Sequence, residues 1–518
     1  WSVNYTFIFV YLINTHVMKK ILLLLSIIYS FYFKAQDFIW SSNSLQNTNT
    51  IPRKSNKITC DEQSNAYVTG EFYQKLSIGT TSLNVNGSGF FLAKYDVKGN
   101  VKWIVREETN DLQLPTDICY DNNGHLYIIG EFEGTVHFGS NTFTGNPNAY
   151  STFLAKYDTT GACIWAQAFY TGNSNIGFRS VASDNAGNII LGGGKCGNNP
   201  IMLGTILISD TSCALTVKYD PNGNVIWASK GTGNFGKNVC SVAADNTGNF
   251  YSFGVFGSTL ISSPPAMVIF DTDTLVANNG NANHFIVKYN SSGMPIWAKS
   301  FGGLQYGQVF EIKTDALNNL YLLNYSSDSS SYSIRKYDSN GNSVWTKYMH
   351  GITLNSISVD QQSNISFCGH SSNVMLAGKL DNNANTLWIT SNNYSTNYNE
   401  ATDIVAAENG NSFVCGSYSS NVKFGQNLFV SHTVFQNNFT VLINDSTYVP
   451  EHKNKITGNI YVDANSNCNF DLGENNLSGA SVIAQPGNYC AVTDNFGNYT
   501  LNVDSANYTI SQILSTSS

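Results

Sequence analysis

The chain has 518 residues, of which only 12% are charged and 13% aromatic, with a formal net charge of −8 at pH 7. Sparse charge combined with abundant Asn, Gly, Ser, Thr and Tyr describes a globular, β-rich chain and excludes intrinsic disorder. The acidic balance argues against nucleic acid and against an anionic lipid surface as partners.

In chain order, residues 1–17 precede Met18, the expected initiator, and read as upstream sequence outside the fold. From Met18, "MKKILLLLSIIYSFYFKAQ" opens with Lys19 and Lys20, runs apolar over 21–33 and offers Ala35 as a small cleavage-site residue, which reads as a signal peptide over 18–35. The apolar run is short for a membrane span, and no later stretch is long and apolar enough to cross a bilayer. Cleavage would remove Lys19, Lys20, Lys34 and no acidic residue, taking the net charge to −11. A secreted or outer-cell-surface location is therefore expected.

From residue 36 the sequence repeats. A turn of the form D-x-x-x-N/H followed by an apolar run recurs as "DEQSNAYVTG" at Asp61, "DNNGHLYIIG" at Asp121, "DNAGNIILGG" at Asp184, "DNTGNFYSFG" at Asp245, "DALNNLYLLN" at Asp315 and "DQQSNISFCG" at Asp360. A seventh, "ENGNSFVCG" from Glu408, is one residue shorter. Alternating strands on both sides of each Asn/Gly turn make a β-hairpin. A second hairpin follows, as in "FLAKYDTTGACIW" and "LTVKYDPNGNVIW", ending at Trp103, Trp165, Trp227, Trp297, Trp345 and Trp388. Four antiparallel strands joined as a meander are a propeller blade.

The ends of the repeat carry the count. The last copy reaches "NFTVLIND" at 438–445 with no Trp strand after it, whereas "DFIWSS" places Trp40 ahead of the first copy. An N-terminal strand that completes the last blade closes the ring and removes two open sheet edges. The expected fold is an all-β, seven-bladed propeller over 36–449, with four-stranded blades. The Trp residues then read as packing between blades, and the turn Asp residues as Asx-turn formers with Gly or Asn supplying positive φ. Cys60, Cys119, Cys240, Cys368 and Cys415 read as buried thiols. Cys196 with Cys213, and Cys468 with Cys490, are the disulfide candidates, with connectivity open.

These repeats, "FLAKYDTTGACIWAQAF" and "DNNGHLYIIGEFEGTVHFGSNTF" above all, resemble the bacterial seven-bladed β-propeller repeats of exported Bacteroidetes proteins. The resemblance covers about 36–449 and implies surface or extracellular binding and adhesion, with type IX export. The later copies around 325–338 and 370–381 lack the "GEFxGTVxFG" segment.

A meander places both stereotyped hairpin turns at one end of the blades, so the irregular connections share the other end. Those connections mix Tyr and Phe with Asn, Gln and Gly, which suits stacking on sugar rings or packing against a protein. Tyr170, Phe235, Tyr306, Tyr394 and Tyr398 are the candidate contacts for a glycan or an extracellular protein partner, the chain itself being read as monomeric. His125, His137, His284, His350 and His370 are scattered over different copies, and there is no HExxH, no G-x-S-x-G, no phosphate loop and no zinc spacing. The reading is a binding protein and not an enzyme; the alternatives are a polysaccharide hydrolase or lyase with acids on the channel rim, or a ligand-free spacer.

After a linker over 450–455 comes "DANSNCNFDLGE". Counting from Asp463, oxygen-bearing residues fall at positions 1, 3, 5, 7, 9 and 12 as Asp463, Asn465, Asn467, Asn469, Asp471 and Glu474, the spacing that wraps ligands around calcium. Position 6, normally Gly, is Cys468, and the flanks are β-like. The segment 456–518 resembles the B-type domains of serine-aspartate-repeat adhesins, through Gly458, Asp463, Asn465, Asn467, Asp471, Gly473, Glu474, Leu477, Gly479 and Val482. That resemblance implies an Ig-like β-sandwich stiffened by calcium, serving as a spacer or stalk, which the chain ends too early to complete, as a fragment of a longer product would.

Overall fold

The computed structural model describes residues 38–46, most of 57–445 and most of 454–513; the longest stretches left out between 57 and 445 are 258–264, 302–310 and 430–436. Every regular element among the described residues is a β-strand. The chain divides after Thr447 into two compact units. The signal-peptide segment 18–35 lies outside the described residues.

The first unit is a ring of seven four-stranded antiparallel meanders. Blades one to six occupy 57–108, 113–169, 175–231, 236–301, 311–349 and 353–391. Blade seven takes three strands from 399–443 and its outermost strand from Phe38–Gln46, which pairs with Asn437–Ile443 through Trp40↔Leu442, Ser42↔Thr440 and Ser44↔Asn438. The far end of Phe38–Gln46 also reaches Ala66–Ile78 in blade one, through Ser44↔Ile78. The last and first blades thus share one continuous sheet, a second pairing that the repeat pattern does not announce.

The middle strands of each blade are covered on both faces by neighbouring blades, so they read as continuous apolar runs: every residue of Asn283–Tyr289 is buried. Outermost strands such as Ser343–Met349 have one face to solvent, and exposed residues alternate with less exposed ones from Val344 on. In blades two, three, four and seven a small two-stranded ribbon is inserted between the second and third strands, at 135–144, 201–208, 267–276 and 422–429.

The innermost strand of blades two, three, four, six and seven carries a β-bulge, at Thr116, Arg179, Cys240, Asn355 and Thr402. Opposite each bulge the second strand has a glycine, because the inner-strand carbonyl dips onto it. A Cβ on Gly130, Gly193 or Gly369 would stand 2.3, 2.0 or 1.9 Å from that oxygen, closer than any side chain tolerates. The Gly ending "YIIG", "SFCG" and "FVCG" is thus a bulge requirement.

The outer Trp residues act between blades. The indole N–H of Trp103, Trp165, Trp227 and Trp345 donates to a carbonyl in the outer turn of the following blade, Thr159, Pro221, Ser291 and Asn382, at 2.9 to 3.2 Å. The turn glycine makes room for the ring: Gly293 has φ +82°, and a Cβ there would lie 2.4 Å from Trp227. Burial is complete for Trp388 and nearly so for Trp227, while Trp103, Trp165, Trp297 and Trp345 are half-buried.

The thiols divide the cysteine expectations. Cys368 and Cys415 are buried and Cys60, Cys119 and Cys240 half-buried, all five free. The Cys196–Cys213 pairing is overturned: both are free thiols. On the paired strands Cys213 faces Lys195 and Cys196 faces Ser212, so strand alternation sends the buried Cys213 and the exposed Cys196 to opposite sides of the sheet. Cys468 lies outside the described residues, as does the Cys490 side chain.

The second unit holds two antiparallel sheets, Asn454–Asn459 with Asn498–Val503, and Tyr489–Val492, Ser481–Gln485 and Thr509–Ile513. A single apolar cluster joins them, with Val482 and Leu501 buried among Ile456, Tyr499 and Ile510.

Candidate functional site

Three surfaces of the ring carry polar chemistry: the face of stereotyped turns, the central channel, and the face of irregular loops. On the turn face each Asp folds its own turn. Asp61 Oδ1 accepts the N–H groups of Gln63 and Asn65 at 3.1 and 2.8 Å, and Asp121, Asp184, Asp245, Asp315 and Asp360 repeat the pattern. The second carboxylate oxygen accepts a phenol in three blades, from Tyr67, Tyr251 and Tyr321 at 2.9 to 3.1 Å. Burial beside that carboxylate pushes those phenol pKa values well up. The "KYD" lysines lie over the same rings, with Lys94, Lys288 and Lys336 about 5 Å from the ring centres. Lys379 is completely buried between Asp360 at 2.7 Å and Asp445 at 2.6 Å, tying blade six to blade seven. The carboxylates of this face are spent on its own turns, phenols and lysines.

The channel carries a belt at one repeat position: Lys57, Asp117, Ser180, Ser241, Glu311, Ser356 and Asp403. Most of these side chains hold the next blade. Asp117 accepts the Val181 N–H at 2.9 Å, Ser180 that of Val242, Ser241 that of Ile312, Glu311 that of Ile357 at 2.7 Å, and Asp403 that of Ile58 at 3.0 Å. Ser356 donates to Asp403 at 2.6 Å. Lys313 pairs with Glu311 at 2.8 Å. Burial works against the Lys57 ammonium, yet Asp403, Asp117 and Glu311 outweigh it and raise its pKa. Burial raises the Asp117 carboxyl; Glu311 is held down by Lys313 and Lys57 in spite of its burial. A cavity of about 230 Å³ lies along this belt.

On the loop face, blades two, three and four enclose a cleft of about 430 Å³, lined among others by Glu131, Tyr150, Arg179, Lys195, Lys237 and Asn238. Lys195 and Lys237 are buried, and their ammonium groups are held by backbone carbonyls. Lys195 Nζ donates to Gly197 and Asp210 at 2.7 and 2.6 Å, and Lys237 Nζ to Phe235 and Gly233 at 2.7 and 3.0 Å. Burial lowers the Lys237 pKa. The nearby Asp210 carboxylate is paired with Lys230 at 2.6 Å.

The candidate aromatic contacts fall unevenly. Tyr170 and Phe235 are 49% and 40% exposed on the connections leading into blades three and four, and the Phe235 carbonyl, from a residue with φ +58°, anchors Lys237. Tyr394 belongs to a short strand paired with Val422–Phe424, on another arc of the ring. Tyr306 and Tyr398 lie outside the described residues. The cleft residues escaped the sequence reading, although a signal existed: Lys195 occupies the repeat position held by Phe132 and Phe256, and Arg179 that of Thr116, Cys240, Asn355 and Thr402.

In the second unit Asp463 Oδ1 accepts the Asn467 N–H at 3.2 Å, and the Asn467 amide donates to Asp471 at 2.5 Å. The Glu474 carboxylate accepts the N–H groups of Ala464 and Asp471, both at 2.9 Å. Positions 1, 5, 9 and 12 of the loop thus fold into one hydrogen-bonded unit. Asn465 and Asn469 lie outside the described residues. Among the described residues no three His, Cys, Asp or Glu side chains stand close enough together to hold a metal ion, and no helix is long and apolar enough to cross a membrane.

No family model matches the chain. Over 133 residues it is 30% identical to an uncharacterized WD repeat-containing protein of Acanthamoeba polyphaga mimivirus, a match that spans 23% of this chain and only 9% of that protein. Similar solved structures are the C-terminal WD40 domain of Sif2, at TM-score 0.41 and 11% identity over 80% of this chain and 99% of that one, and the WD40 domain of Neurospora crassa Pan2. The latter gives 0.33 and 9% over 76% and 91%. These likenesses assign no function.

Proposed function

We propose that the chain is an exported binding protein of the cell surface or extracellular space, non-enzymatic, whose propeller presents its loop face to a glycan or protein partner. The observation that carries this reading is the asymmetry of the ring. The turn-face Asp residues and the channel belt spend their hydrogen bonds on the turns and the neighbouring blades, whereas the loop face holds a cleft of about 430 Å³ with charged side chains and an exposed aromatic in its lining. The channel carboxylates of Asp117, Glu311 and Asp403 accept backbone N–H groups of neighbouring blades, which supports a structural role for them over acid-base chemistry. The leader at 18–35 supports export.

The second unit is read as a stalk or spacer of Ig-like kind, with calcium held by Asp463, Asn465, Asn467, Asn469, Asp471 and Glu474. The 1, 3, 5, 7, 9, 12 spacing of these residues in the sequence and the hydrogen-bonded loop that Asp463, Asn467, Asp471 and Glu474 form support this, and extracellular calcium at about millimolar levels fills even weak sites. Chelation is expected to lower the melting temperature of the second unit, and Asp463→Ala to remove that shift; an unchanged melt takes calcium out of the reading.

The binding reading is tested by probing the purified protein against arrays of glycans and extracellular proteins. Alanine at Tyr170 and Phe235 should weaken any hit, and alanine at the exposed turn residue Asn100 should leave it intact. Equal loss on both faces, or silence on every array, contradicts it.

A further inference from the structure

The cleft of blades two to four has a composition at odds with the rest of the surface. In a chain of net charge −8, it gathers Arg179, Lys195 and Lys237 against the single carboxylate of Glu131. The two ammonium groups cannot swing away, because each is buried and tied to carbonyls of its own loops. Carbonyls orient an ammonium without cancelling its charge, so the cleft keeps a positive field inside low-dielectric walls. Arg179 sits on the bulge of its inner strand. The bulge re-aims its guanidinium out of the strand alternation, and it is exposed. A guanidinium fork in that position matches a carboxylate in bidentate fashion.

Two further features specify more than charge. Asn238 Oδ1 is buried with no donor among the described residues, and beside it Gly194 leaves open the space that a Cβ would occupy 2.7 Å from that oxygen. An unpaired buried acceptor is costly and asks for a hydroxyl or N–H from the ligand. Tyr150, 39% exposed, offers an aromatic face at the same cleft.

From this combination we infer that the cleft is a binding subsite for an acidic saccharide unit, a pyranose ring bearing a carboxylate. Arg179 receives the carboxylate in the field of Lys195 and Lys237, Asn238 accepts a ring hydroxyl, and Tyr150 packs on the apolar face of the sugar. The cleft volume of about 430 Å³ falls in the range of small-ligand sites, about 300 to 1,000 Å³. This assignment rests on the loop-face reading above and narrows it to one ligand class.

Calorimetric titration of the whole protein with trigalacturonate, its neutral methyl ester and hexaglutamate tests it. The trigalacturonate is expected to bind, more weakly as salt rises, and the ester about tenfold or more weaker. Arg179→Gln, an exposed site that leaves the melting temperature alone, should reduce trigalacturonate affinity by a similar factor. Gly194→Ala, which fills the space at Asn238 against a movable amide, should do the same. Equal binding of acid and ester, equal binding of hexaglutamate, or no binding of trigalacturonate overturns the inference. Glycan or protein binding elsewhere that Tyr170→Ala and Phe235→Ala abolish would leave the loop-face reading standing without it.

Discussion

The two faces of the propeller come from the same strands but obey different constraints. On the turn face, Asp, Asn, Tyr, Lys and Trp recur at fixed positions because each has a partner fixed by the meander: Asp61 closes its own turn, Tyr67 and Lys94 converge on it, and Trp103 reaches the next blade's turn. On the loop face the chain only has to span a gap, so blades two, three, four and seven carry inserted ribbons, and blades three and four carry Arg179, Lys195 and Lys237 where other copies have different residues. The difference teaches that repetition in this chain marks structure, whereas the irregular connections gather on the face that is proposed to bind.

That contrast can be broken most severely at the channel. Asp403→Ala removes acceptors for the Ile58 N–H and the Ser356 hydroxyl inside the belt and strips Lys57 of a counter-charge. A loss of roughly 3 to 5 kcal/mol in chemical denaturation is expected. On the turn face, Gly293→Ala drives a Cβ into Trp227 and should cost about 2 to 3 kcal/mol, whereas Gly124→Ala, also at positive φ but with open space around it, should cost about 1 kcal/mol. Equal costs would mean that the glycines serve φ alone and not the Trp.

His284 sharpens the comparison through pH. It is completely buried between Phe253 and Phe301, and burial, with Arg335 adding to it, pushes its pKa down to about 3. A histidine whose folded value is depressed binds fewer protons in the native state. Its contribution is therefore complete above the ordinary value of about 6.5 and is lost as pH falls from there toward 3. His284→Phe should remove about 2 kcal/mol of the pH dependence between 6.5 and 5. Taking the difference between variant and parent isolates the imidazole from Glu107, whose carboxyl burial lifts to about 7 and whose effect in this range has the opposite sign. On the loop face, by contrast, Phe235→Ala should change stability by less than about 0.5 kcal/mol.

Blade number, strand order and the closing strand were legible in the sequence because the signals are local and repeat: turns at Asp61 to Asp360, and a Trp strand missing at one end and present at the other. The bulge glycines were visible but not interpretable, since Gly130 answers to a carbonyl on another strand, that of Leu114. The Cys196–Cys213 expectation failed because closeness in sequence says nothing of which side of a strand a thiol faces. The cleft stayed hidden for a related reason: Glu131, Arg179 and Lys237 come from three blades, and only the ring brings them together.

Closure of the ring by Phe38–Gln46 underlies every other placement, and a cross-link tests it most directly. Ser42 and Thr440 are ladder partners, and antiparallel partners lie about 4.5 to 5.5 Å apart at Cα, within disulfide range. The Ser42→Cys, Thr440→Cys double variant, oxidised as a monomer and digested, should yield one peptide pair joined through those two positions. A monomer in which these cysteines remain reduced, or bond elsewhere, contradicts the account.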